Sequence, residues 1–145
     1  MSSLRILSDH DYHDVWTIFH SVFEHKYIRE FQDSWNSRNE GLSYGFFDEQ
    51  RILVGFLLTK QIQDQHQQIE FIGVHPVIQK GGVGSILLRT VVNYCQNNKI
   101  SLTLIPVNDE KIINWYKKNG FEPFGEPRLS SYTGEFEQTM KFAVK

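Results

Sequence analysis

Residues 81–84 read Gly-Gly-Val-Gly, after the strand-like run QQIEFIGV at 67–74 and immediately before a helix-like stripe of apolar residues. A helix start presents N–H groups that lack intrahelical partners together with the positive end of the helix dipole, and glycines there let an anion approach the backbone closely. The segment therefore predicts a strand, a bare turn and a helix, with an anion cradle at the joint. Two familiar glycine loops do not fit. A P-loop ends in Gly-Lys-Ser/Thr, whereas Gly84 is followed by Ser85 with no lysine between them. A dinucleotide fingerprint needs a third glycine, and residues 82–87 give Gly-Val-Gly-Ser-Ile-Leu. A purely architectural reading stays open at this point: Gly81 and Gly82 form a tight turn, and Gly84 lets the helix pack closely on a sheet.

The surrounding pattern supplies the architecture. LRILS at 4–8 reads as a strand, and Asp9 or Asp11 is placed to cap a helix whose apolar positions are Val15, Ile18, Phe19, Val22 and Phe23. Residues 26–39 are weakly helical. SYGFF and RILVGFLLT flank the turn-like DEQ and form a hairpin, and the second strand, apolar on both faces, belongs in the middle of its sheet. The strand at 67–74 stops at Pro76, which cannot donate to a ladder. After the glycines, Val83, Ile86, Leu87, Val91, Tyr94 and Cys95 make one helical stripe; SLTLI (101–105) is a strand and residues 109–120 a helix ended by Gly120. Residues 135–144 read as a strand with Phe136, Gln138, Met140 and Phe142 on one face. The order β-α-α-β-β-β-α-β-α-β-β is that of a mixed α/β sheet with helices on both faces.

Length and composition narrow the function. The 145 residues contain no repeat, linker or low-complexity segment, so residues 1–145 read as a single domain. A net charge of −2 with no basic run argues against a general nucleic-acid or anionic-membrane binder. The longest apolar stretch, ILVGFLL at 52–58, is far below the ~20 residues of a membrane span, and the N-terminal MSSLRILSDHD has no signal-peptide core. Cys95 stands alone, which excludes an internal disulfide, and no Cys/His cluster has zinc spacing. These features predict a soluble, cytoplasmic protein without nucleic-acid or membrane partners.

The segment GVHPVIQKGGVGSILL resembles the acetyl-coenzyme A signature of the GNAT superfamily of N-acetyltransferases, V-x-P-x-x-[QR]-x-x-G-x-[GA], through Val74, Pro76, Gln79, Gly82 and Gly84. NDEKIINWYKKNGF resembles a second segment of that superfamily, a helix with a tyrosine near its end and then Gly-Phe, here Tyr116, Gly120 and Phe121. The element order is similar from Leu4 to Val144. The resemblance implies a single-domain GNAT-like fold, a mixed, mostly antiparallel sheet flanked by helices on both faces. It implies transfer of an acetyl group from acetyl-coenzyme A directly to an amine in a ternary complex, without a metal. A monomer or homodimer is expected. The alternative is a catalytically inactive acyl-coenzyme A-binding or regulatory module on the same fold.

The resemblance also implies site residues. The backbone of Gln79, Lys80, Gly81, Gly82, Val83, Gly84 and Ser85 would hold the pyrophosphate. Pantetheine would run beside Ile72, Gly73 and Val74, the Val74 N–H serving as oxyanion donor to the tetrahedral intermediate. The superfamily often has Asn seven residues before the tyrosine, where this chain has Asp109 preceded by Asn108, either able to cap the helix. Tyr116 would return a proton to the coenzyme A thiolate. Ile112, four residues earlier, shares its helical side and can face the sheet.

A lysine-like amine near pKa ~10.4 needs a base or a desolvating pocket to react at neutral pH. Glu70 is the candidate base, being on the strand that leads to the thioester and in phase with Ile72 and Val74; His75 and water are the alternatives. Cys95, on the packing stripe, reads as inert. Glu24, Glu30, Asp33 and Glu40 mix with Tyr27, Phe31 and Trp35 over 24–40, a content that suits a cationic amine or, equally, an ordinary solvated helix face. EPRLSSYTGEF at 126–136 is long enough to reach over the site, or to be a plain hairpin turn.

Overall fold

Among the described residues, two of the three register shifts in the sheet set its layout. The computed structural model describes residues 2–143 apart from the side chains of Gln79 and Lys80; what was expected of those two side chains and of Val144 lies outside the described residues. The strands are β1 (Ser3–Ile6), β2 (Tyr44–Phe47), β3 (Leu53–Gln63), β4 (His66–Val74), β5 (Ser101–Leu104), β6 (Phe121–Pro123), β7 (Arg128–Leu129), β8 (Phe136–Glu137) and β9 (Met140–Phe142). The helices are α1 (Tyr12–Val22), α2 (Ile28–Asn36), α3 (Val83–Asn97) and α4 (Glu110–Lys118). Seven strands form one sheet in the order β1-β2-β3-β4-β5-β9-β6, and β7 pairs with β8 separately. Within the main sheet only β4 and β5 run parallel, joined by the crossover through α3.

β3 is buried along Leu53–Thr59, as expected of a central strand. An extra residue in β3 opposite Phe46/Phe47 is the first bulge. The second lies in β4, where Leu58 faces Phe71 and Thr59 faces Ile69, leaving Glu70 as the extra residue.

Each face of the sheet has its own core. Beneath α3 and α4, Val54, Leu57, Ile69, Val74, Leu87, Leu88, Val91, Leu104 and Tyr116 pack together. Beneath α1 and α2 the core is aromatic: Phe19, Phe31, Phe56 and Phe71 join Val15, Ile18 and Trp35. Phe31 stacks on Phe19 at 4.2 Å between centroids and meets Phe56 and Phe71 edge-on. Gly73 belongs to this packing, since a Cβ there would lie 2.6 Å from the Phe56 ring.

Three expectations need correction. Asp11 precedes α1 but makes no cap bond to it; its carboxylate accepts two 2.9 Å bonds from Arg5 and one of 2.8 Å from the Ser8 N–H. On α3, Tyr94 is exposed, and Leu88 and Val92 are buried in addition to Leu87 and Val91. Residues 135–144 are not one strand, because β8 pairs with β7 while β9 crosses into the main sheet between β5 and β6. β6, three residues after a glycine at φ 95°, was too short to show a period of two.

Phe31 is completely buried and ties α2 to the sheet. Phe31→Ala should destabilise the fold by about 3–5 kcal/mol, read as a lowered urea midpoint at unchanged slope.

Candidate active site

The ladder between β4 and β5 runs from His66/Ser101 to Ile69/Leu104 and ends there, while β4 continues to Val74. The strands part at the Glu70 bulge, and a cavity of about 750 Å³ opens between them. The His75 N–H donates to the Val54 carbonyl at 2.8 Å, and antiparallel alternation from that pair turns the main-chain groups of Ile72 away from β3, toward the opening. An extended ligand with amide groups can therefore lie along this edge like an added strand.

At one end of the cavity stand Gly82, Gly84 and Ser85. Gly82 is left-handed at φ 79°, and a Cβ built on it would meet nothing within 4 Å. That conformation ends the short 3-10 turn of Pro76–Gly81 and starts α3. Gly84 is also open, a Cβ there reaching Val74 and Trp115 only at ordinary contact distances of 3.7 and 3.8 Å. At Gly82 the left-handed backbone itself favours glycine; at Gly84 neither packing nor conformation demands it, whereas a backbone donor set that must stay bare for a phosphate does. This geometry fits coenzyme A: an anion cradle at the helix start, and next to it a strand edge for an amide-bearing arm.

The opposite end is acidic. Glu30 from α2, Glu70 from the β4 bulge and Glu137 from β8 line it, with Glu24 and Glu135 at the rim. Lys26, the single cationic residue among the described lining residues, bonds Glu135 at 2.8 Å and approaches Glu24 at 3.4 Å. Burial pushes the Glu30 carboxyl up to about 7, helped by the charges of Glu137 and Glu70. Glu137 is raised by burial and by Glu70, against the opposing pull of Arg128. The walls between the two ends are apolar: Val22, Phe23, Tyr27, Ile112 and Trp115.

Glu70 does not keep step with Ile72 and Val74. The bulge places Ile69 on the α3 face with those two residues, and Glu70 accepts a 3.3 Å bond from Ser34 of α2 and a 2.9 Å bond from the Gln68 amide. It still lines the cavity. Gln68 also accepts from the Thr103 hydroxyl at 3.2 Å, and Thr103 meets His66 Nε2 at 2.8 Å. Tyr116 is 8% exposed, lines the cavity, and its hydroxyl has no hydrogen-bond partner among the described residues. Desolvation by burial raises its pKa and keeps the phenol protonated. Ile112 faces the cavity and is partly exposed instead of packing on the sheet.

Asp109 caps α4, accepting from the N–H groups of Lys111 at 2.8 Å and Ile112 at 3.4 Å, while Asn108 donates to the Phe136 carbonyl at 3.0 Å. His75 instead accepts from the Val77 N–H beyond the end of β4. Cys95 is buried, its thiol pushed up to about 11 by desolvation. Segment 126–136 does reach over the cavity. Tyr132 donates to Asp33 at 2.7 Å, and Lys26 and Asn108 hold it from two sides. Of the acids and aromatics in 24–40, Glu24, Tyr27 and Glu30 face the cavity; Phe31 and Trp35 are core, and Glu40 lies near Arg38. Trp115, Phe23 and Glu137 carried no motif and became visible only when the fold brought them together.

The fold stabilises the protonated form of Glu30, so this group's contribution is complete below its ordinary value of 4.5 and is lost as pH rises toward about 7. Glu30→Gln, which mimics the neutral acid, should raise the melting temperature at pH ~8, the gain closing as pH falls through that interval.

Comparison with known proteins agrees with this geometry. A stretch of 69 residues is 36% identical to the tRNA(Met) cytidine acetyltransferase TmcA of Aeropyrum pernix, spanning 47% of this chain and 10% of that protein. The Ard1 structure from Thermoplasma volcanium superposes with a TM-score of 0.80 at 22% identity, covering 99% of this chain and 98% of that one. Arabidopsis thaliana Naa50, in complex with the bisubstrate analogue CoA-Ac-MVNAL, gives 0.76 at 21% identity over 98% of both chains. Residues 11–121 match the Acetyltransferase (GNAT) family, and the chain belongs to that family.

Proposed function

We propose that this protein is an N-acetyltransferase that moves an acetyl group from acetyl-coenzyme A directly to an amine while both are bound. One observation carries this reading: the cavity has electrically opposite ends, a bare helix start suited to an anionic donor and a carboxylate cluster suited to a cationic acceptor. The donor, when bound, supplies a thioester already activated toward amines.

The backbone from Gly81 to Ser85 holds the pyrophosphate, Gly82 adopting the left-handed turn that starts α3. The strand edge at Ile72 orients the amide-bearing arm, next to Gly73 and Val74. Trp115 and Ile112 cover the arm from α4 and exclude water. Asn108 and Asp109 act here indirectly, fixing the hairpin and the start of α4 around that arm. Glu70 takes the proton from the incoming ammonium; Ser34 and Gln68 hold its two oxygens in place. Tyr116 gives a proton to the departing sulfur. Its hydroxyl is protonated and unengaged among the described residues, so it can donate without first breaking a bond to them. Cys95 has no part in this route.

The deciding experiment is calorimetric titration with coenzyme A, followed by detection of the acetylated amine. Saturation at ~100 times the dissociation constant should raise stability by roughly 2.7 kcal/mol. Gly82→Asp puts a carboxylate at the cradle, in a left-handed turn that strains Asp less than most residues; with its fold checked by circular dichroism, the variant should lose that thermal shift. A wild-type shift in Gly82→Asp would place the cradle elsewhere.

Two further variants separate the proton roles. Glu70→Gln should lower turnover and abolish the acid limb of the pH–rate profile, with cofactor affinity nearly unchanged. Tyr116→Phe keeps the ring and should cut turnover by about 10²-fold at most, without changing folding. An unaltered pH profile in the first, or wild-type turnover in the second with chemistry limiting, removes that residue from the mechanism.

A further inference from the structure

The acceptor end holds more negative charge than one amine uses. Glu30, Glu70 and Glu137 come from α2, β4 and β8; Glu30 feels the charges of the other two, and Glu137 feels that of Glu70. Glu70 has protein donors. Glu30 and Glu137 accept no hydrogen bond and join no ion pair among the described residues; Arg128, opposite Glu137 across the β7/β8 pair, offsets part of one charge from the hairpin's exposed edge. Lys26 is engaged by Glu24 and Glu135. A separate feature points to a ligand in the same cavity, the hydroxyl of Tyr116, a residue only 8% exposed and without a hydrogen-bond partner among the described residues.

We propose that the acceptor carries a second cationic group, which Glu30 and Glu137 hold while the reacting amine lies at Glu70. The substrate class is thus an amine with two positive charges joined by an apolar spacer, which the wall of Val22, Phe23 and Tyr27 accommodates. This assignment rests on the acetyl-transfer reading for the role of Glu70. The reasoning is one of charge balance. With a lone ammonium at Glu70, Glu30 and Glu137 meet no cation and stay pushed toward their protonated forms, and acetylation then removes even that one cation. A dication supplies a counter-charge that outlasts the reaction, so the cluster stays compensated with substrate and with product.

The same chemistry belongs to an aliphatic diamine and to a peptide whose α-amine precedes a lysine. The test is calorimetric titration at low salt, with and without coenzyme A, using putrescine, cadaverine and butylamine as probes. A dipeptide amide with lysine second, and its norleucine counterpart, distinguish the two sources. The diamines, or the lysine dipeptide, should bind about tenfold more tightly than their singly charged counterparts. The double variant Glu30→Gln, Glu137→Gln removes charge at constant shape, and should bring that ratio close to one. Equal affinity in the wild type, a preference that survives the double substitution, or no binding of any probe overturns the proposal. An acetylation assay on the same probes keeps the two readings apart. Discrimination in binding without acetyl transfer sinks the proposed function and leaves the subsite; transfer to mono- and dications with equal kcat/KM does the reverse.

Discussion

The parting of β4 from β5 after Ile69 and Leu104 is the constraint on which the rest of the site depends. Parallel strands that stayed paired to their ends would leave no edge, no cavity and no route between the two faces of the sheet. The parting coincides with one inserted residue, Glu70, which interrupts the β3/β4 register and increases the local bend. The two separate cores hold it open. The aromatic cluster under α1 and α2 fixes one wall, and the packing of α3 and α4, with Tyr116 at its margin, fixes the other. Neither core can close the gap without giving up buried apolar area of its own.

Opening the sheet makes room for charge that a closed sheet would not tolerate. Glu30 and Glu137 sit half-buried, without donors among the described residues, and are pushed toward their neutral forms. Such an arrangement reduces stability at neutral pH, which natural proteins accept mostly where a ligand supplies the missing partner. The segment that completes it, β7–β8 with its loop, is held by polar ties from Lys26, Asn108 and Tyr132 more than by core packing: Leu129 and Phe136 remain exposed. Elements held in that way open at lower cost than the core does.

The glycine turn, the central β3 and the helix after the cradle were legible because each rests on local chemistry: left-handed backbone at Gly82, burial on both faces of β3, a 3.6-residue apolar stripe on α3. Glu70 could be placed on the right strand but not in the right phase, since a bulge depends on the partner strand and leaves no mark in the alternation of its own. The segment 135–144 misled for a related reason. Its alternation continues through Gln138 and Thr139, yet the chain there passes from one sheet to the other. Glu137 and Trp115 became site residues through long-range packing, and no short-range pattern distinguishes them from ordinary surface and core positions.

The paired half of β4 and β5 also acts on the open half. Gln68 has to present its amide N–H₂ to the carboxylate of Glu70, which only accepts; its carbonyl oxygen therefore faces Thr103, whose hydroxyl donates to it. With that proton committed, His66 has to offer Thr103 an N–H from Nε2, and burial, with Lys141 nearby, lowers the pKa of this ring so that it does so as a neutral imidazole at pH 7. The register His66/Ser101 to Ile69/Leu104 thus sets more than strand order. It brings a threonine of β5 beside a glutamine of β4, and so aims the carboxylate one residue past the last paired position into the space that the ladder leaves open.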